Sequence, residues 1–148
     1  MAGTAAVSYA AALVVVTIAP IRWGADLARD RNNWRPQLVP LWNLVVNLCD
    51  GDRVLATLAG AAGNVALFLP LGFLLPMLAP RLGRFWSAVG AGFALSAAIE
   101  LSQVAFPGVR RADVNDVLMN TLGAALGHLL YRRAERATAW SRPSADDQ

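Results

Sequence analysis

Four apolar runs of roughly bilayer-crossing length constrain this chain more than any other feature: Ala5 to Ile21, Val54 to Ala79, Phe85 to Phe106, and Asp113 to about Tyr131. A helix needs about 20 predominantly apolar residues to cross hydrocarbon, and about 17 is the lower limit. Lipid offers the backbone no hydrogen-bond partners, so a helix, which pairs its own N–H and C=O groups, is the natural form of such a run. The expected fold is all-α: a polytopic membrane protein of four transmembrane helices. A short interfacial or re-entrant segment is expected between the first two. Hydrophobic residues make up 56% of the chain, more than an ordinary soluble domain carries. A single membrane domain over 1–148 is expected, with a polar tail at 132–148.

The first run is near the lower length limit, and a cleaved signal peptide is its rival reading. No Lys or Arg precedes it, and the IAPIRW that follows is a poor cleavage site, so it reads as a helix that stays attached. Between Arg22 and Arg53 lies a shorter apolar patch, Leu38 to Cys49, which suits an interfacial or re-entrant segment. Trp23, Trp34 and Trp42 fall in this region, where a half-apolar ring with a wet N–H anchors at the headgroup level. In the second run Pro70 removes a ladder hydrogen bond, so a kink is expected near Ala66 to Pro70. Gly60, Gly63 and Gly72 would permit close helix approach. Pro80 to Arg84 forms a tight turn, and Pro107-Gly108 ends the third run.

All thirteen basic residues are arginine, and they sit in loops and at helix ends. That placement suits a membrane surface; no basic stripe interleaved with aromatics points to nucleic acid. Four spans put both termini on one side of the bilayer. The arginines divide seven against six between the two sides. The short loop Arg81–Arg84 and the Arg132–Arg136 cluster lie tight against helix ends, which favours cytoplasmic termini. The lone Cys49 excludes an internal disulfide and a cysteine metal site.

Polar side chains recur inside the apolar runs. A carboxylate at a helix centre costs roughly 2.5–3.5 kcal/mol on insertion scales, so it is expected to hold helices together or to act in function. On the third run Ser96, Glu100 and Gln103 are spaced i, i+4, i+7 and share one face. On the fourth, Asp113, Asp116, Asn120, Gly123 and Gly127 form another stripe. Glu100 and Asn120 each lie seven residues from the connecting loop, about 10 Å deep at 1.5 Å per residue. The candidate functional cluster is therefore Asn64, Glu100, Gln103, Arg110, Arg111, Asp113, Asp116 and Asn120. Glu100 and Asn120 are expected at one level, the arginines at the mouth, and Asn64 somewhat deeper.

Plainer roles stand beside these. Asp113 reads as an N-cap with Asp116 at the third helical position, where carboxylates meet orphan N–H groups and the positive helix end. The two arginines would then neutralise these aspartates or meet lipid headgroups. Asn64 and Asn120 would act as interhelical glue, about 0.6–2 kcal/mol each. His128 lies off the aspartate stripe and reads as an interfacial side chain. A hard cation such as Mg²⁺ would suit three carboxylates, but the ligand pattern is too thin to assign a metal.

The residues Asn64 to Phe73 with Leu75-Pro76, Ile99-Glu100 with Gln103, and Arg111 with Asp113, Asp116, Asn120, Gly123 and Gly127 resemble the VanZ-like family of small bacterial membrane proteins. Val39-Pro40 also resembles a loop of that family, and the likeness covers roughly residues 38 to 131. The short first run without a basic flank departs from the pattern. The resemblance implies a cell-envelope membrane protein associated with reduced susceptibility to the glycopeptide teicoplanin. It carries no cofactor and no settled catalytic mechanism.

Several functions fit this reading. One is a binding or shielding protein whose polar pocket engages a lipid-linked or lipophilic envelope ligand. Another is a membrane-embedded enzyme on a lipid-linked precursor, with Glu100 or Asp116 as general acid or base; the absence of an activated nucleophile weighs against it. A third is a small transporter, which four helices would form only as a homo-oligomer through Gly123 and Gly127. The last is a scaffold whose polar residues only hold helices together.

Overall fold

The computed structural model describes residues 4, 8, 9, 13, 38–49, 51, 53–105 and 112–140. Its elements are α1 (Trp42–Cys49), α2 (Val54–Leu78), a 3₁₀ turn (Pro80–Leu82), α3 (Phe85–Ala105) and α4 (Val114–Trp140). No strand occurs among the described residues. Thr4, and Ser8, Tyr9 and Leu13 of the first apolar run, are described, and each is helical. The Tyr9 hydroxyl donates to the Leu67 carbonyl at 2.7 Å, which sets that residue against the middle of α2. Trp23 and Trp34 lie outside the described residues.

Two helices, α2 and α3, are long and apolar enough to cross a membrane. Only 11% and 22% of their most apolar windows is buried in the protein, so neither is the core helix of a soluble fold. α2 runs unbroken through Pro70 and Pro76. The fourth run, expected as a span, forms a 27-residue helix that is not among the two. Its Asn115, Asn120 and His128 are buried, while Leu118, Leu122, Leu126 and Leu129 make an exposed stripe at near-helical spacing.

The packing inverts that of a soluble protein. Ser96, Glu100, Gln103, Asn115, Asn120 and His128 are buried, while Leu55, Leu58, Phe93, Leu101 and Leu129 are exposed. In water, polar side chains would be outside and contiguous apolar surface would be rare. In hydrocarbon the cost of exposure falls on the polar groups instead.

α4 is the central element. It packs most extensively on α2 and next on α3, while α2 and α3 touch each other little. The matched pairs Asn64 with Asp116 and Phe73 with Tyr131 make α2 and α4 parallel. Ser96 with Asn120 and Phe85 with His128 make α3 antiparallel to α4. The parallel seam depends on absent side chains. A Cβ on Gly123 would run into the Val65 carbonyl, one on Gly127 into the Leu69 carbonyl, and one on Gly72 into the Ala124 backbone. Lipid gives helices no hydrophobic reason to associate, so close backbone approach and dispersion must supply it.

This seam corrects two expectations. The Gly123/Gly127 face is covered by α2 within the chain, so it is not available as an oligomer interface. Gly72 does mediate close approach, but a Cβ at Gly60 or Gly63 would meet nothing within 4 Å among the described residues.

Candidate functional site

The start of α4 gathers the polar groups. Asp113 Oδ1 accepts the Asn115 backbone N–H at 2.9 Å, the bond an N-cap makes to the second helical residue. The Asn115 side-chain amide donates to the same oxygen at 2.9 Å. Asn115 then accepts the backbone N–H of Leu41 through Oδ1, at 2.6 Å. That contact pins the segment before α1 to the first turn of α4. Leu41 is held at φ 61°, a left-handed conformation that is uncommon for a bulky non-glycine residue. Its own carbonyl accepts from Val45 N at 2.8 Å and so starts α1.

Glu100 reaches the same helix end from α3. Its Oε2 accepts the Asp113 backbone N–H at 2.7 Å. A carboxylate at a helix N-terminus meets orphan donors and the positive end of the dipole. Glu100 is 9% exposed and therefore lies within the bundle, yet it is level with the cap of α4. The expectation that Glu100 and Asn120 lie at one level is therefore corrected. The partner of Asn120 is Ser96, one turn deeper on α3, at 2.8 Å. Equal residue counts from the loop did not give equal depth, because the cap itself occupies the space opposite Glu100.

On the other side of α4, Asn64 Nδ2 donates to Asp116 Oδ1 at 2.6 Å. Asn64 thus stands beside the first turn of α4 and is not deeper than the other members. The start of α2 rises past that turn and flanks α1. Between them lies a cavity of about 150 Å³ with a mixed wall: Ala56, Ala61, Gly60 and Met119 beside Asn47 of α1, Thr57 of α2, and Asp113, Asn115 and Asp116. Gly60 leaves room there, which gives the absence of its side chain a purpose other than helix packing.

Six of the eight candidate residues are thereby sorted into two groups. Asn64, Asp113 and Asp116 gather on the α2 side, and Glu100, Gln103 and Asn120 on the α3 side. Arg110 and Arg111 lie outside the described residues. Gln103 Oε1 and Asn120 Oδ1 are buried acceptors with no hydrogen-bond partner among the described residues. Glu100 and Asp116 make interactions beyond those given above. Among the described residues no group of three or more His, Cys, Asp or Glu could hold a metal ion. What the α2-side cavity offers chemically is carboxylate and amide acceptors with a few amide and hydroxyl donors, a lining suited to a ligand rich in hydroxyl or amine groups.

Sequence reasoning missed Asn115, Asn47 and Thr57. Asn115 is two residues from Asp113, off the stripe that a single helical face traces, and it acts through the cap. Asn47 and Thr57 belong to segments whose approach to α4 no local pattern encodes. His128 was also misread. It is 2% exposed, so it is packed inside the bundle rather than facing out, and it meets the rings of Phe85 and Tyr131 with centroids 5.7 and 6.2 Å away.

No curated protein and no solved structure matches the chain. The family model described as VanZ/LLP1 matches residues 6–135, which takes in all four described helices up to the last turns of α4 and every candidate residue. With most of the sequence covered, and with the polar start of α4 formed from the residues that carry the likeness, the chain belongs to the VanZ-like family.

Proposed function

We propose that this chain is a four-span protein of the bacterial cell membrane whose aspartate-bearing cavity at the start of α4 binds the headgroup of a lipid-linked or lipophilic envelope ligand. Occupancy of that cavity lowers susceptibility to teicoplanin. One observation carries the reading: a cavity of about 150 Å³ has two aspartates in its wall and a short helix with exposed apolar side chains beside it. Trp42, Val45, Val46 and Leu48 of that helix are exposed, as suits a segment lying in the headgroup layer. The exposed leucine stripe of α4 supports a third crossing, and the first apolar run supplies the fourth. With the termini in the cytoplasm, the cavity opens outward, where lipid-linked precursors and glycopeptides meet.

The test is teicoplanin tolerance of a sensitive bacterium expressing the intact chain or Asp116→Asn, with membrane abundance of both compared by immunoblot. The variant keeps the size of the side chain and an oxygen for Asn64 to donate to, and removes the charge. Higher tolerance with the intact chain, and none with an equally abundant variant, is expected. Equal tolerance in the two sinks the cavity as the functional site; no tolerance from either sinks the link to glycopeptides.

A further inference from the structure

The other end of the bundle carries a second cavity that the reading above does not use. It holds about 730 Å³, within the usual span of ligand sites. Arg84 from the start of α3 and Arg132, Arg133 and Arg136 from α4 line it together with His128. Arg132 pairs with Glu135 at 3.0 Å. Among the described residues Arg84, Arg133 and Arg136 make no ion pair. His128 is 2% exposed, and its Nδ1 has no hydrogen-bond partner among the described residues. A buried ring nitrogen left unpaired is costly, and a bound group that meets it removes that cost.

The rest of the wall is apolar. Leu69, Leu126, Leu129 and Leu130 continue the surface from the arginines toward the middle of the bundle. Arg132 stands sixteen residues beyond Asp116, about 24 Å along α4 at 1.5 Å per residue. Arg136 stands twenty residues beyond Asp116, about 30 Å along the axis and equal to the hydrocarbon thickness of about 30 Å, so the arginines with their long stems reach the headgroup level of the opposite membrane face while the leucines stay at acyl depth.

We infer that this cavity is a binding site for an anionic phospholipid, with the phosphate held by Arg84, Arg133 and Arg136 and the acyl chains laid on the leucine wall. A fork of guanidinium donors matches a phosphate, and charge with adjoining apolar surface matches an amphiphile better than a free anion. The inference rests on the bilayer placement proposed above but not on the cavity at the start of α4, so a chain without effect on teicoplanin would still bind the lipid.

The experiment uses the full chain in uncharged detergent, supplied with phosphatidylglycerol or phosphatidylcholine, and reads bound lipid by native mass spectrometry and by thermal shift. Phosphatidylglycerol is expected to be retained and stabilising, phosphatidylcholine not, and millimolar inorganic phosphate is expected not to displace it. The double variant Arg133→Gln, Arg136→Gln should weaken lipid binding about thirtyfold, each arginine near an anionic membrane surface counting for roughly fivefold. Arg81→Gln is the control, since Arg81 lies in the turn at the same end but outside the cavity wall. Equal losses in the control and the double variant would overturn the site in favour of diffuse charge attraction. Equal retention of both lipids, or displacement by inorganic phosphate, would overturn it as well.

Discussion

Glu100 shows how a residue that reads as chemistry in a sequence can be carrying structure. An ionisable group inside an apolar run is a functional candidate by default. Here its carboxylate accepts the first free N–H at the start of α4, beside the side-chain cap from Asp113. Removing an acceptor and leaving a buried donor unpaired costs about 1–3 kcal/mol, and losing an N-cap costs about 1 kcal/mol. Glu100→Ala should therefore lower the melting temperature of the purified protein more than Asp113→Ala, while Glu100→Gln, which keeps an acceptor oxygen, should lower it least. A thermal series in detergent checks the order. If Glu100→Gln proved as damaging as Glu100→Ala, the charge and not the hydrogen bond would be what holds this helix end.

At the scale of elements, the association of α2 with α4 is decided by three positions without room for a side chain. Val65 and Leu69 carbonyls lie over Gly123 and Gly127, and Gly72 lies on the Ala124 backbone. Backbone cannot yield as a flexible side chain can, so a substitution there must separate the helices. Separation would also pull Asn64 away from Asp116. Gly127→Leu is expected to abolish accumulation in the membrane, and Gly127→Ala to reduce it, whereas Gly63→Ala, which meets nothing among the described residues, should accumulate normally. Immunoblots of membrane fractions separate these outcomes. A Gly127→Leu protein that accumulates and melts like the parent would show that this seam is dispensable.

For the whole molecule, the distribution of surface is the strongest physical statement. Ser96, Glu100, Gln103, Asn120 and His128 are inside while many leucines of the three long helices are outside, the distribution a bilayer favours. The arginines divide seven against six between the two sides, so orientation needs a direct measurement, and the single cysteine reports it. Cys49 is exposed at the end of α1, beside the α2-side cavity. With cytoplasmic termini, a membrane-impermeant maleimide should label Cys49 in intact cells, and a Cys49→Ala, Gly83→Cys variant should be labelled only after permeabilisation. The reverse pattern would turn the protein over and place the arginine-lined cavity outside.

Much of this was legible along the chain because it depends on local spacing. Run length and apolar content are properties of neighbouring residues, and they alone determined an all-helical chain, the positions of α2 and α3, and the polar stripes of α3 and α4. Asp113 could be read as a cap because a cap involves only the next two or three residues. Depth and partnership could not be read, because they depend on how one helix is shifted along another. Only the tertiary packing set Ser96 rather than Glu100 opposite Asn120, brought Asn64 up to Asp116, and buried His128 against Phe85. It also committed Gly123 and Gly127 to a contact inside the chain. The register of that packing is chosen by which backbone groups can approach most closely, a sum over many weak contacts that no short stretch of sequence contains.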